Sequence, residues 1–521
     1  MSISKNPERF TLAVIGGGAA SVAFLHHLSN LITPSVAARI QVKVFEPRSQ
    51  IGPGLAYQPD VDTALLNRAI ETMSVSAADF STFTSWVRWK SHHEPELRDL
   101  VRRDLSSTYV SRSLFGRYLQ DFFNETLSTA RRKGLSVDVV HREIRAISRN
   151  SRYRLTADDE TYDADSVLIA VGNTGPRDYY GLSGHERYIH RPYPIASALT
   201  KLAHAKRIAV IGASLTAVDI AVSLYRMNSQ AEIHMVSNTG VLPLVKGKQA
   251  MPQPPRHLTA ERLHALTSEG HRKISLRQLG RLIRAEFKAA GADWRELFVD
   301  HDDAIALLLD EIAEADRERA WQTILVATND LIEFAWNALD PQSQACALKR
   351  FARHWLACRA PMPVENARVI ATMLADGRLK LMKTPIAFER AHPHRISSTV
   401  SGHYDYVVNA TGAAKDVQAP GDSSLIWQML QDGLACRDWR GGVRVDFETG
   451  ALLDSDGEPD YQLRALGHIT SGTYFFVSSL EMVAKRARRI AADIASAFAE
   501  EDVTLRAITQ PFEFAGDQVP I

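Results

Sequence analysis

The sequence predicts an α/β protein: two Rossmann-like, doubly wound units with a helical insertion among their segments. Three observations predict it. A strand, glycine turn and helix open the chain near Leu12, a second copy starts at Arg207, and a long stretch behind that copy is rich in helical patterns and poor in strands. At 521 residues the chain is expected to hold two or three domains.

In the first copy, Leu12 to Ser21 reads L-A-V-I-G-G-G-A-A-S. The apolar run is a buried parallel strand, Gly16, Gly17 and Gly18 turn the chain, and a helix follows through Ala19 and Ala20. Gly16 allows the tight turn, and Gly18 has no side chain to keep a pyrophosphate from the backbone. The helix start offers free N–H groups to the anion. Ser21, third in the G-x-G-x-x-G spacing, is small enough for close helix–strand packing. A second strand, Ile40 to Phe45, ends in Glu46-Pro47, which puts an acid where a ribose diol binds.

The loop Ile51 to Tyr57 carries Gly54 and Leu55, and A-L-L-N (Ala64 to Asn67) contains Leu66 and Asn67. Such loops either border a ring system or lie on the surface. The Asn67 amide, in an apolar context, needs partners. Leu114, Tyr118, Leu119 and Phe122 recur at helical spacing and read as core. Val137 to Ile147, Tyr153 to Thr156 and Ser166 to Asn173 read as strands, the last ending in a small-residue turn at Gly172.

The second copy is R-I-A-V-I-G-A-S-L-T-A-V-D from Arg207, with Gly212, Ser214, Leu215 and Thr216 at its turn. Ser214 stands where a second glycine normally lies. The strand Ala231 to Val236 is followed by Ser237-Asn238-Thr239, which supplies neither an acid for a 2′-hydroxyl nor an arginine for a 2′-phosphate. Lys246 and Lys248 are the nearby substitutes. The site either binds a second dinucleotide or is a relic.

His257 to Arg359 reads as helical, with Trp321, Trp336 and Trp355 spread through it, and serves either as packing or as a lid. Strands resume at Leu379 to Met382 and at Tyr404 to Gly412, whose A-T-G ending with Gly412 matches the earlier A-V-G. Leu466 to Tyr474, with Gly467, Gly472 and Thr473, precedes a final helix starting near Ser478 or Ser479. The expected division is 1–200 and 404–521 for the first unit, 201–256 and 366–403 for the second, and 257–365 for the insertion.

With 61 basic and 60 acidic residues the net charge is +1, so no nucleic-acid surface is expected. The arginines from Arg486 to Arg489 read as a solvated helix face. Histidines such as His26, His27, His92 and His93 read as structural or solvated. Cys346, Cys358 and Cys436 have no paired or metal-ligand spacing, and no apolar stretch is long enough for a membrane span. A cytoplasmic, metal-free protein is expected.

In order, V-I-G-G-G-A-A-S, G-L-A-Y with L-L-N, Y-V-S-R-x-x-F-G-x-Y-L, G-A-S-L-T-A-V-D, F-x-R-H-W-x-x-x-R-x-P, N-A-T-G and L-G-x-x-T-S-G-T cover about residues 10 to 495. The set resembles the bacterial FAD/NAD(P)-binding two-dinucleotide flavoproteins, related to lysine and ornithine N-hydroxylases and other class B flavin monooxygenases. The resemblance implies FAD on Gly16, Gly18, Ser21 and Glu46, with Ile144 near the adenine. Asn67, Gly467, Gly472 and Thr473 would border the isoalloxazine. NADPH or NADH would use Gly212, Ser214, Leu215 and Thr216.

It further implies a monooxygenase that N-hydroxylates a small amine or amino acid with molecular oxygen through a C4a-hydroperoxyflavin. The alternatives are a flavin oxidoreductase without oxygen insertion, or a flavin-binding regulatory protein with a decayed nicotinamide site. This chain departs from relatives in lacking an arginine after the second unit's second strand. It also has Ala357-Cys358-Arg359 where they carry a more basic segment.

Overall fold

The computed structural model describes residues 9–498, apart from 174, 228–229, 239, 249–252, 268–270, 299–302, 384–386, 393–394, 399–401, 416 and 418–423. Thr239 therefore lies outside the described residues.

The first sheet has six strands in the order Ala451–Leu453, Pro459–Ala465, Ser166–Ile169, Phe10–Ile15, Ile40–Phe45, Ser136–Val140. All its pairings are parallel except the edge hairpin of the first two. Leu12, Ala13 and Val14 are buried on both faces, as the unbroken apolar run requires of a central parallel strand. Helices Ala19–Leu31 and Leu480–Ala497 cover one face through Val22, Phe24, Leu25, Leu28, Ala487, Ile490, Ala491 and Ile494, a spacing of three and four residues. Helix Arg112–Arg132 joins them with Phe115, Tyr118 and Leu119 fully buried.

The second sheet runs Leu379–Lys383, Glu232–Ser237, Arg207–Ile211, Tyr406–Asn409, Tyr188–Ile189, all parallel. Its last two strands fall outside the expected division at 201 and 404. Tyr406 pairs with Ile208 and Asn409 with Ile211, so the chain re-enters the second unit before returning to the first. An apolar strand in either unit reads alike in sequence. Each unit also carries a small antiparallel sheet just before the strand that ends in A-x-G: Ile144–Arg149, Tyr153–Ala157 and Glu160–Ala164 in one, Phe388–His392, Arg395–Ser398 and Gly402–Tyr404 in the other.

Between residues 260 and 359 the described residues form a run of helices, from Ala260–Leu266 to Ala352–Arg359. Leu276–Ala289 starts on a capping box between Ser275 and Gln278. Trp321 and Trp336 are buried, and Trp355 is partly buried. The insertion is anchored on the first unit. The Trp336 indole N–H donates to the Gly472 carbonyl at 2.9 Å, and Glu333 pairs with Arg486 at 2.6 Å, both groups buried. Arg486 is thus not part of a solvated face. Its guanidinium also lies 4.0 Å from the Tyr474 ring centroid. No described helix is long and apolar enough to cross a membrane.

Candidate functional site

The two glycine turns have the same architecture. Gly16 follows its strand with φ +103°, and Gly212 with φ +120°. A Cβ on Gly16 would fall 2.3 Å from the Ala170 carbonyl oxygen, and one on Gly212 would fall 2.6 Å from that of Ala410. Only glycine fits either place. Backbone bonds repeat as well: Gly16 N–H donates to Phe45 and Ala170 N–H to Ile15, each at 2.8 Å. Gly212 N–H donates to Val236 at 2.8 Å and Ala410 N–H to Ile211 at 2.9 Å. The A-V-G and A-T-G endings are therefore the second walls of two equivalent turns.

Gly18 caps the Ala19–Leu31 helix with no side-chain hydrogen bond, at φ −83°, and a Cβ there would meet only the Gly54 Cα, at 3.7 Å. The loop holding Gly54 and Leu55 thus passes over the turn. Glu46 is buried at the strand end, where one carboxylate oxygen accepts the Gly17 N–H at 2.8 Å and the other accepts Arg48 N–H groups at 3.1 and 2.9 Å. In the second turn Ser214 takes the place of Gly18 and is exposed, with its carbonyl accepting from Val218 N–H. The serine therefore leaves the helix start open.

One continuous cleft of about 2100 Å³ joins the two turns. Single small-molecule sites run to about 300–1,000 Å³, so the cleft has room for two dinucleotides and a further ligand. Gly16, Gly17, Gly18, Ala19, Ala20, Glu46, Gly54, Leu55, Leu66, Asn67 and Gly172 line it on the first side. Gly212, Ser214, Leu215, Thr216 and Gly412 line it on the second, and Gly467 lines it as well. At Gly172, Gly412 and Gly467 a Cβ would meet no atom within 4 Å. The bare backbone there faces open space, a cradle that a ligand's flat or phosphate groups can fill, so the residues present fit FAD and a nicotinamide dinucleotide.

Five expected residues stand elsewhere. Ser21 is buried, and its hydroxyl donates to the Gly16 carbonyl at 2.5 Å, so it braces the turn from behind. Pro47 is not on the cleft wall. Ile144 packs in the core with Ile15 and Phe45, because the first strand of the small sheet turns its apolar face inward. Gly472 sits behind the wall against Asp438, where a Cβ would come within 2.3 Å of the carboxyl carbon. Thr473 is likewise buried off the cleft, its hydroxyl without a partner.

The two units are tied to each other through Arg112, which lines the cleft. Arg112 donates to Asp219 at 2.8 Å and Tyr193 O–H donates to the same carboxylate at 2.9 Å, while the Asp60 carboxylate accepts from Ile195 and Ala196 N–H. Burial pushes the Asp219 carboxyl up to about 6 against the pull of Arg112. His27 is structural: burial, with His26 and Arg488 nearby, takes its imidazole down to about 3, and it accepts the Ala77 N–H. His92 and His93 are exposed.

In the wall between Asn67 and the insertion, sequence patterns named Lys246, Trp355 and Arg359 singly without bringing them together, and passed over Arg68, Phe475, Phe476 and Glu481. Arg68, Lys246, Trp355, Arg359, Phe475, Phe476 and Glu481 all line the cleft there. Arg68 donates to Glu481 at 2.8 Å; burial opposes ionisation of Glu481, but Arg68 and Lys485 hold its carboxyl down at about 2. Phe475 has φ 60°, the only positive φ among the described non-glycine residues, and stacks on Trp336 at 4.5 Å between ring centroids. A bulky residue held there stores on the order of 1–3 kcal/mol of strain. His468, also on the wall, is taken down to about 4 by burial and by Lys415.

Residues 13–174 match a family model described as FAD-NAD(P)-binding, and residues 106–275 match one described as pyridine nucleotide-disulphide oxidoreductase. An L-lysine 6-monooxygenase from Pseudomonas syringae superposes with TM-score 0.57 at 14% identity, over 94% of this chain and 99% of that one. An ornithine N-hydroxylase from Kutzneria sp. 744, solved with reduced FAD, NADP+ and L-ornithine, gives 0.56 at 16% identity, over 94% and 99%. An uncharacterized Escherichia coli K12 protein, YdhS, is 19% identical over 466 residues, 79% of this chain and 85% of its own. The shared fold is that of two-dinucleotide flavoproteins. No C-x-x-C or similarly close cysteine pair is present in the sequence, and Cys346, Cys358 and Cys436 are unpaired.

Proposed function

We propose that this chain, an FAD-dependent oxidoreductase with a nicotinamide site, is a monooxygenase that uses NADPH or NADH and molecular oxygen to hydroxylate nitrogen on a small amine or amino acid. The observation that carries the reading is the single cleft running from one glycine turn to the other and on to a third, aromatic and cationic wall. An enzyme that passes hydride between two bound dinucleotides and then acts on a small molecule needs that connection. The solved proteins that share the fold act on ornithine and lysine, and the cadaverine monooxygenase of Erwinia amylovora adds a third amine.

Bound FAD supplies the redox and oxygen chemistry that no side chain here provides. The chain's own contribution is position and dryness. Gly16, Gly17 and Gly18 with the helix start would hold the pyrophosphate, and Glu46, already fixed by Gly17 and Arg48, would take the ribose. Gly212 to Thr216 would hold the second dinucleotide. The insertion, fastened by Trp336 and by Glu333–Arg486, would cover the reacting end and limit its access to water. Free thiols suit the reducing cytoplasm as its place of action.

The test is anaerobic flavin reduction by NADPH and by NADH, followed by admission of oxygen with L-lysine, L-ornithine or cadaverine present. Bleaching by a nicotinamide with hydroxylated amine among the products supports the reading. Bleaching with all oxygen released as hydrogen peroxide for every amine counts against nitrogen hydroxylation. No bleaching by either donor counts against the whole proposal.

A further inference from the structure

The wall where the first unit, the second unit and the insertion meet collects more cations than the acids there neutralise among the described residues. Arg68 follows Asn67 in the first unit, Lys246 comes from the second, and Arg359 ends the Ala352–Arg359 helix of the insertion; all three face the cleft. Burial, together with the charges of Arg68 and Arg359, lowers the Lys246 ammonium to about 7. The acid at hand is Glu481, and its oxygens are already taken by Arg68 at 2.8 Å, Lys485 at 2.8 Å and the Asn329 amide at 3.4 Å. Lys485 is shared with Asp330. The Lys246 ammonium has no ion-pair partner among the described residues.

Two donors on the same helix are orphaned as well. The Trp355 indole N–H and the Arg359 Nε–H are buried with no acceptor, and Trp355 and Arg359 are one helical turn apart. Leaving a buried donor unpaired is costly, so two in one wall point to a missing acceptor. The Arg359 guanidinium is fixed between rings, 5.3 Å from Trp355 and 4.7 Å from Phe476, and another of its nitrogens donates to the Leu325 carbonyl. Phe475, strained and stacked on Trp336, adds an apolar face beside Trp355 at 6.0 Å.

We propose that Arg68, Lys246, Arg359 and the Trp355 indole form an oxyanion pocket that receives a carboxylate of the substrate, with Trp355, Phe475 and Phe476 against its apolar body. This rests on the reading of the cleft as a substrate-hydroxylating site and narrows it: the substrate is an acid, and a simple diamine is a poor fit. The same donors would suit a nicotinamide 2′-phosphate, the other oxyanion in reach. However, that group belongs at the end of the Glu232–Ser237 strand. Arg68 and Glu481 instead belong to the first unit, and Glu481 opens the Leu480–Ala497 helix that follows Gly467.

The test uses FAD-loaded protein and three probes of nearly one shape: benzoate, benzamide and benzylamine. Binding is read by tryptophan fluorescence and by the flavin difference spectrum, with 2′,5′-ADP as a phosphate probe. Benzoate is expected to bind at least about tenfold tighter than benzamide, with benzylamine weakest. Arg359→Gln and Lys246→Met are each expected to lose about tenfold for benzoate and leave benzamide and 2′,5′-ADP unchanged, with Arg359→Lys recovering part.

Benzoate binding no tighter than benzamide, or not at all, overturns the pocket. So does an equal loss of benzoate and benzamide in both variants, and so does a loss confined to 2′,5′-ADP, which assigns the cations to the cofactor. Because binding is read without turnover, a protein that hydroxylates nothing and still selects benzoate in this way keeps the pocket and loses the proposed reaction.

Discussion

Replacing Gly16 and Gly18 separately by alanine divides what the first turn does for the fold from what it does for the cofactor. At Gly16 the new methyl lies 2.3 Å from the Ala170 oxygen on a backbone at φ +103°. Conformational strain alone costs about 1–3 kcal/mol. The clash then forces one of two buried strand ends to move, so a total of about 3 kcal/mol or more is expected. At about 1–2 °C per kcal/mol for a unit of this size, FAD-free Gly16→Ala protein should melt at least about 3 °C below wild type.

Gly18 sits at φ −83°, which alanine adopts freely, and its Cβ would approach nothing closer than 3.7 Å. Stability of the FAD-free protein should then stay within about 1 kcal/mol. On the proposed binding of the pyrophosphate at the helix start the methyl stands in its way, so FAD should bind at least about tenfold more weakly, or about 1.4 kcal/mol. Calorimetry on stripped protein and fluorimetric FAD titration give the two numbers independently. A Gly18→Ala protein that melts early yet holds FAD as tightly as wild type would refute the assignment of this turn to the cofactor.

Three further outcomes are expected. Benzoate affinity should fall as pH rises through about 7, where Lys246 loses its charge, and Lys246→Met should flatten that profile; titrations from pH 6 to 8.5 check it. Glu481, held at about 2 when folded against 4.5 for a free carboxyl, contributes stability that is present above 4.5 and lost as pH falls toward 2. Glu481→Gln should remove a contribution on the order of 3 kcal/mol from acid unfolding curves. A chain with Cys346→Ser, Cys358→Ala and Cys436→Ser should still show nicotinamide-driven flavin bleaching at the wild-type rate, in stopped-flow traces, because the sequence has no close cysteine pair to serve as a thiol relay.

The features legible in the sequence are those set by neighbours in the chain. Strand, turn and helix at Gly16 and Gly212 follow from short-range rules, and the apolar spacing of Tyr118, Leu119 and Phe122 marks a buried helix face. What was hidden depends on partners far away. Gly16 is obligatory because of Ala170, and Ile144 left the expected adenine site because its strand turns toward Ile15 and Phe45. Lys246 reads in sequence as a substitute ligand for the second dinucleotide and Arg359 as one position of a family motif, and nothing in either pattern says that the two meet in one wall. Periodicity shows which face of an element is apolar, and is silent about which other element its polar residues will meet.

The return of the chain between units bears on how this protein is made. When Arg207–Ile211 leaves the ribosome it can pair with Glu232–Ser237, but its other neighbour, Tyr406–Asn409, comes only after the whole insertion. Ser166–Ile169 waits longer still, for Pro459–Ala465. Both sheets therefore spend a long part of synthesis with an open central edge, a template for pairing with other nascent chains. Expression yield should accordingly depend on chaperone supply and on slow translation more than on the stability of the finished molecule.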